Sequence, residues 1–316
     1  MGGLLARRAG FSLLSLVLVS LCLFALTRAI PDSPARIVLG QDATEAQVAE
    51  FEHDHGLDRA VAVQYASWVS GILLRGDLGR SFITGRDVGG EISKTLPVTL
   101  ELVVIAFSFA CVLSLAAGTA SALLRDTVVD YGVRLVAVLG VSVPGFWLAL
   151  VLIMAFAVDR EWFPPGGFTP LSAGLAAHVN SIVLPTFCLG IFYMAVLSRM
   201  TRSSLLEVLG LDYMRTARAT GLARWRVLIY ALRNALVPVV TIAGMSFGYM
   251  FGWALIIETV FNINGLSRAL LTAIQQRDFA LVQGVVMVFT FVFILANLVA
   301  DITNAWLNPR IAAAAA

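Results

Sequence analysis

The stretch Leu102–Leu124 reads LVVIAFSFACVLSLAAGTASALL, 23 residues without a charge. A bilayer core about 30 Å thick is crossed by roughly 20 helical residues. Within hydrocarbon such a run has to be helical, because no water is present to satisfy exposed backbone groups. Five further uncharged runs lie along the chain: Ala9–Thr27, Leu135–Val158, Ile182–Leu197, Asn234–Ile257 and Phe279–Ala300. Composition agrees. Only 13% of the 316 residues are charged and 59% are hydrophobic, whereas soluble domains carry about 25% charged residues. The mean hydropathy is +0.87. These values exclude an ordinary soluble domain, and they exclude disorder, which needs low hydrophobicity and high net charge. A net charge of +2 is too weak to draw in nucleic acid by bulk electrostatics. The expected fold class is an all-α membrane protein with six transmembrane helices.

Arginine placement predicts the orientation, since basic residues gather on the cytoplasmic side. Arg7 and Arg8 precede the first span. Between the fourth and fifth spans stand Arg199, Arg202, Arg215, Arg218, Arg224, Arg226 and Arg233, against Glu207 and Asp212. Four spans separate these two basic regions, an even number, so both fall on one side and the signals agree. The loop from Ile30 to Leu96 then lies outside, and both termini lie in the cytoplasm. The first run is longer than the roughly 7–15 apolar residues of a signal peptide, which predicts a retained anchor with Arg28 snorkelling at its far end. Cys22, Cys111 and Cys188 each sit in an apolar run, which argues against a disulfide framework.

The outer loop has its own helical signals. Thr44 with Gln47 matches a capping box opening a short acidic helix through His53. Val63, Trp68, Ile72 and Leu73 give a helical stripe between Ala60 and Leu74. Gly76-Asp77-Leu78-Gly79 reads as a turn. A surface for a soluble partner and a structural lid on the bundle both fit this pattern. His53-Asp54-His55 lacks the third ligand of a metal site, and two His at i, i+2 diverge on a helix.

The segment between spans four and five is the most informative about function. It contains Asp212-Tyr213-Met214-Arg215-Thr216-Ala217-Arg218-Ala219-Thr220-Gly221, and later Asn234-Ala235-Leu236-Val237-Pro238. Helical spacing puts Met214, Ala217, Gly221 and Trp225 on one side, and Arg215, Arg218 and Arg226 on another. Gly221 is expected to break the helix into two short pieces. A short helix with a small apolar tip flanked by Arg suits a groove in a partner protein. It equally suits anionic lipid headgroups, and residue chemistry leaves both readings open.

The spacing from Ala217 through Gly221 to Pro238 resembles the "EAA" loop of bacterial ATP-binding-cassette importer permeases. Other matches resemble the inner-membrane B subunits of dipeptide and oligopeptide transporters. They are Gly76-Asp77-Leu78-Gly79-Arg80-Ser81-Phe82, Leu96-Pro97-Val98-Thr99-Leu100-Glu101-Leu102, Val143-Pro144-Gly145-Phe146-Trp147-Leu148-Ala149-Leu150 and Trp162-Phe163-Pro164. Gln275-Gln276-Arg277-Asp278, Val282-Gln283-Gly284 and Asn308-Pro309-Arg310 follow in order. The sequence departs from the family pattern at Arg215, which occupies the loop's acidic position, at Thr220, where Lys is common, and at Asn264-Gly265-Leu266-Ser267.

The resemblance implies a type I importer permease fold. It divides the chain into an N-terminal transmembrane helix over residues 1–30, an extracytoplasmic subdomain over 31–96, a five-helix core over 97–310 with a coupling loop at 199–236, and a tail at 311–316. It implies a bacterial inner-membrane subunit that imports di- or oligopeptides, with relatives that handle glutathione or nickel complexes. The implied partners are a second, homologous permease, two cytoplasmic ATPase subunits or domains, an extracytoplasmic binding protein and the bilayer, with no nucleic acid. Coupling to the ATPase falls to Tyr213, Arg215, Thr216, Ala217, Arg218, Gly221 and Leu222. The substrate path has Glu101, Pro144, Phe146 and Gly248 as candidates.

What the chain lacks fits this. There is no G-x-x-x-x-G-K-[ST] loop, no H-E-x-x-H and no G-x-S-x-G, so no catalytic residue, metal or cofactor is expected here. ATP and Mg would bind the partner subunits. The competing class, an ion-coupled carrier, would show paired intramembrane charges. The spans offer only Glu101 near one end, with Glu258 and Asp301 at span ends, and each has a structural pairing as its alternative role. Pro144-Gly145 suits a hinge or a static kink. Gly244, Gly248 and Gly252 suit close helix packing, within the subunit or against a partner.

Overall fold

The computed structural model describes residues 2–29, 33–40 and 42–307, with residues 2–9 as backbone. The Asn308-Pro309-Arg310 match and the terminal alanine run lie outside the described residues. Twelve α-helices are present among those described: α1 Gly2–Ala29, α2 Pro34–Leu39, α3 Glu45–Asp54, α4 Val61–Arg75, α5 Val88–Leu123, α6 Val128–Ser142, α7 Gly145–Leu152, α8 Leu175–Gly210, α9 Asp212–Ala219, α10 Arg224–Val260, α11 Leu266–Gln275 and α12 Phe279–Leu307. Helices α1, α5, α8, α10 and α12 are each long and apolar enough to cross a membrane. A sixth span results when α6 is joined to α7 and the π-helical turn that ends it at Val158. The all-α architecture expected from composition is therefore present.

One detail sharpens the sequence expectation and one departs from it. The third span is broken at Pro144-Gly145, where α6 and α7 meet at an angle of 103°. Pro144 supplies no amide hydrogen and sits at ψ 130° as the cap before α7, so α6 cannot propagate through it. And Gly221 does not separate two short helices. The helix after it, α10, runs from Arg224 straight into the fifth span. Arg215 and Arg218 thus lie on α9 and Arg226 on α10, and the two stripes drawn through Gly221 do not persist beyond Ala219.

One compact unit is built on Thr99–Asn264 and the C-terminal stretch from Val292. Its centre is α8: 72% of that helix's most apolar window is buried, against 28% for α10. Glycines let backbones approach there. A Cβ on Gly190 would lie 2.9 Å from the Ala106 carbonyl oxygen, and one on Gly118 would lie 2.7 Å from both the Ser198 carbonyl oxygen and Thr201 Cβ. On α10, Gly244 faces Ala300 and Gly248 faces the Phe293 ring, whereas Gly252 faces open space. The first two glycines are thus spent on packing within the subunit, as small residues allow between apolar helices.

The second unit comprises Gly10–Val98 and Gly265–Phe291. The Thr44–Gln47 capping box is formed, and α3 begins where it predicts. Phe24, Tyr65 and Trp68 cluster, and Ser20 shares a 2.8 Å hydrogen bond with the Tyr65 hydroxyl. Gly76 takes the left-handed φ of 64° that ends α4. Motifs distant in sequence meet: Ser81 donates to Asp278 over 2.5 Å, and Gly284 lies against Val88 and Ile92. Those two residues join Leu266 and Val285 in a buried cluster.

Candidate functional site

Helix α9 is eight residues long, about 12 Å at 1.5 Å per residue. Only Met214 is buried on it, with no exposed surface. Met214 enters an apolar cluster with Leu205 and Val208 of α8 and Val227, Ala231 and Ala235 of α10. Leu222 packs partly buried against the same cluster. Tyr213, Arg215, Thr216, Arg218 and Gly221 are exposed, and Ala217 is half-buried. The seven residues named from the sequence therefore form one contiguous patch, standing on an anchor that the loop itself supplies.

The loop's polar contacts are mostly internal. Arg215 reaches Asp212 at 3.2 Å. Arg218 donates to the Leu209 carbonyl at 3.2 Å, and Asn234 donates to the Tyr213 hydroxyl at 3.1 Å. The Gly221 amide donates to the Arg218 carbonyl, closing the turn at φ 80°. Nothing lies within 4 Å of a Cβ placed there. Backbone conformation, and not space, is what calls for glycine.

Beside this loop, α6 and α8 are joined by a charge cluster that sequence reasoning missed. Arg202 donates to both carboxylate oxygens of Asp130 at 2.7 Å, a bidentate fork. Ser121 and the Asp126 amide donate to the same carboxylate. The available signal is Asp130 itself, an acid in the first turn of a span, while nothing local to Arg202 sets it apart from the loop's other arginines.

The four path candidates fall in different places. Glu101 lies 2.8 Å from Nε2 of His178, whose Nδ1 lies 2.8 Å from the Thr169 carbonyl. The structural pairing is thus realised, with a His that the sequence did not single out. Pro144 sits at the 103° bend. Phe146, one residue into α7, is half exposed. Gly248 is turned to Phe293. Of the four, Pro144 alone lines a described cavity, a narrow one of about 100 Å³ that Phe192, Tyr193 and Trp253 also line. These three aromatics continue with Tyr249 into an open cavity of about 490 Å³. Phe192 and Trp253 stack at 5.8 Å, and the buried Tyr193 hydroxyl has no partner among the described residues. Tyr249 and Trp253 are one helical turn apart, a pattern visible in sequence; their meeting with α8 is not.

A second acid at a span end, Glu258, is paired as well. Thr99 donates to the buried Glu258 at 2.5 Å. In the outer loop, His53 Nδ1 lies 2.9 Å from Asp58. No group of three His, Cys, Asp or Glu able to hold a metal ion occurs among the described residues.

Comparison with known proteins defines the class. The family described as binding-protein-dependent transport system inner membrane component matches residues 112–313. The N-terminal family of the same membrane components matches residues 1–103. The chain belongs to this family of inner-membrane permease subunits of ATP-binding-cassette transport systems. Among its relatives, a putative peptide transport system permease protein of Brucella suis biovar 1 is 37% identical, over 98% of this chain and 99% of its own length. The di/tripeptide transport system permease protein DppB of Pseudomonas aeruginosa is 38% identical, over 97% and 98%. The glutathione transport system permease protein GsiC of Salmonella choleraesuis is 37% identical, over 94% of each chain.

Proposed function

We propose that this chain is one of two homologous transmembrane subunits of an importer for di- or oligopeptides. An extracytoplasmic binding protein delivers the peptide. Two partner ATPases bind ATP and Mg and hydrolyse the ATP, and this chain contributes no catalytic group. Its seven arginines between the fourth and fifth spans support an orientation with that segment and both termini in the cytoplasm.

The observation that carries the reading is the build of α9. Tyr213, Arg215, Thr216 and Arg218 are presented outward, while Met214 is the one buried side chain that fastens the helix to α8 and α10. Such a tip can sit in an ATPase groove and transmit a push to two spans at once. Since α10 continues from the loop into the membrane without a break, displacement of the tip would tilt a span that carries Tyr249 and Trp253. The aromatic cavity gives apolar peptide side chains a surface, with few fixed polar groups to enforce one sequence. Peptides are favoured because two of the three relatives above carry that substrate in their names. Glutathione, itself a short peptide, is the second substrate that a relative supports.

The test is Ala217→Glu, which puts an acid on the half-buried side of the tip. In the assembled complex it is expected to abolish ATP-driven peptide uptake while the protein still inserts into the membrane. Uptake and ATPase assembly at the unmodified level would contradict the assignment.

A further inference from the structure

A cavity of about 320 Å³ lies wholly within the second unit, at the ends of two spans. Arg28 in the last turn of α1 reaches it, as do Phe279, Ala280 and Gln283 in the first turn of α12. Its volume is at the lower end of the roughly 300–1,000 Å³ typical of small-molecule sites. Four arginines line it: Arg28, Arg59, Arg75 and Arg80. None of them forms an ion pair among the described residues. The one carboxylate in the lining, Asp77, accepts from the Gly79 amide at 2.8 Å.

Two lining side chains leave buried polar atoms unpartnered. Among the described residues Arg28 Nε has no acceptor. Gln64 spends its amide hydrogens on the Leu57 and Arg59 carbonyls, at 2.9 and 2.7 Å, which leaves its buried Oε1 without a donor. Each buried orphan costs free energy until a partner arrives. One occupant could satisfy both: a group with anionic oxygens for the guanidiniums and a hydroxyl for Gln64. Phe24 and Trp68 add apolar wall. At the ends of two membrane spans the cavity stands at headgroup depth, where guanidinium stems snorkel and aromatic rings collect.

We propose that this cavity binds the headgroup of phosphatidylglycerol, with the phosphodiester among the four guanidiniums and a glycerol hydroxyl donating to Gln64. Arg pairs with phosphate through planar, forked hydrogen bonds. A zwitterionic ethanolamine headgroup would bring an ammonium among four like charges. Free inorganic phosphate shares the anionic chemistry and has neither the acyl chains nor the second hydroxyl-bearing arm.

The test uses the purified full chain in detergent and in nanodiscs. Retained lipid is counted by native mass spectrometry, and the unfolding midpoint is followed as phosphatidylglycerol, phosphatidylethanolamine or inorganic phosphate is added. The expected result is retention of phosphatidylglycerol and a midpoint rise with that lipid alone. Arg28→Gln combined with Arg75→Gln is expected to reduce the retained lipid about tenfold and to remove the rise, with the lipid-free midpoint unchanged. Arg125→Gln, a loss of charge at an exposed position outside the cavity, is expected to change neither. If the double variant itself unfolds, Gln64→Leu, which keeps all four charges, is expected to lower phosphatidylglycerol retention severalfold. Equal retention by the double variant and the unmodified chain, an equal loss in Arg125→Gln, or an equal rise with inorganic phosphate would overturn the proposal.

Discussion

Replacing Gly221 tests the tip of α9 most sharply, because its backbone conformation and its surroundings make separate demands. The residue has φ 80°, and a Cβ there would meet nothing within 4 Å. Any effect of a small side chain must therefore come from the backbone. An L-residue held in the left-handed region costs about 1–2 kcal/mol, which lowers the population of the native turn by a factor of about 5–30. Asn, with its local hydrogen bonds, tolerates that region better, while a β-branched residue is worst. Peptide uptake and ATPase stimulation in proteoliposomes holding the whole complex should then fall in the order Gly, Asn, Ala, Val. Global stability should change by no more than the turn's own cost, since the Met214 cluster is untouched. A Gly221→Val complex that transports like the unmodified one would refute the reasoning. So would an Asn variant as poor as Val, because size rather than backbone conformation would then govern.

Other outcomes follow from the packing and the charges. Gly118→Ala places a Cβ against a backbone carbonyl and Thr201. It should be less stable than Gly132→Ala, whose Cβ meets open space on α6, by the ~1–3 kcal/mol of overpacking, as read from unfolding midpoints. Met214→Ala should cost about 2–5 kcal/mol and loosen α9, seen as faster proteolysis at Arg215 and Arg218. In the outer loop the Asp58 carboxylate, by hydrogen bond and charge, holds His53 above its ordinary 6.5, and His53 holds Asp58 below 3.8. The pair's contribution is full below pH 6.5 on the histidine side and fades as pH rises through His53's raised value. On the aspartate side it is present above 3.8 and fades as pH falls through the lowered one. Asp58→Asn should return the His53 titration, followed by NMR, toward 6.5.

The spans were legible because hydrocarbon tolerates little except apolar helix, so uncharged length alone locates them. Their ends were not. Helix α5 starts at Val88, well before the uncharged run at Leu102, because turns beyond the bilayer keep helical hydrogen bonds while carrying polar residues. The Thr44–Gln47 box, the turn at Gly76 and the helix end at Gly221 were readable, since each is a local requirement of side chain or backbone. The direction of the chain after Gly221 was not, because a glycine turn says that one helix ends and nothing about the length of the next. Pro144 marked a break without its 103° angle, which depends on what the two helices pack against. The candidate site divides the same way. The α9 residues lie within ten consecutive positions and were named through the family resemblance, since residue chemistry left a partner groove and a lipid surface both open. The aromatic cavity and the Asp130–Arg202 fork join α6, α8 and α10 across register that one sequence does not encode locally.

The proposed function makes transport by this chain depend on a partner ATPase. Its most direct measurement is peptide uptake into proteoliposomes containing this chain alone, or with its permease, ATPase and binding-protein partners. Each is assayed with an imposed proton or sodium gradient and, separately, with ATP. Uptake is expected only in the full assembly with ATP, with none from the isolated chain under any gradient. Gradient-driven uptake by the isolated chain would contradict that dependence.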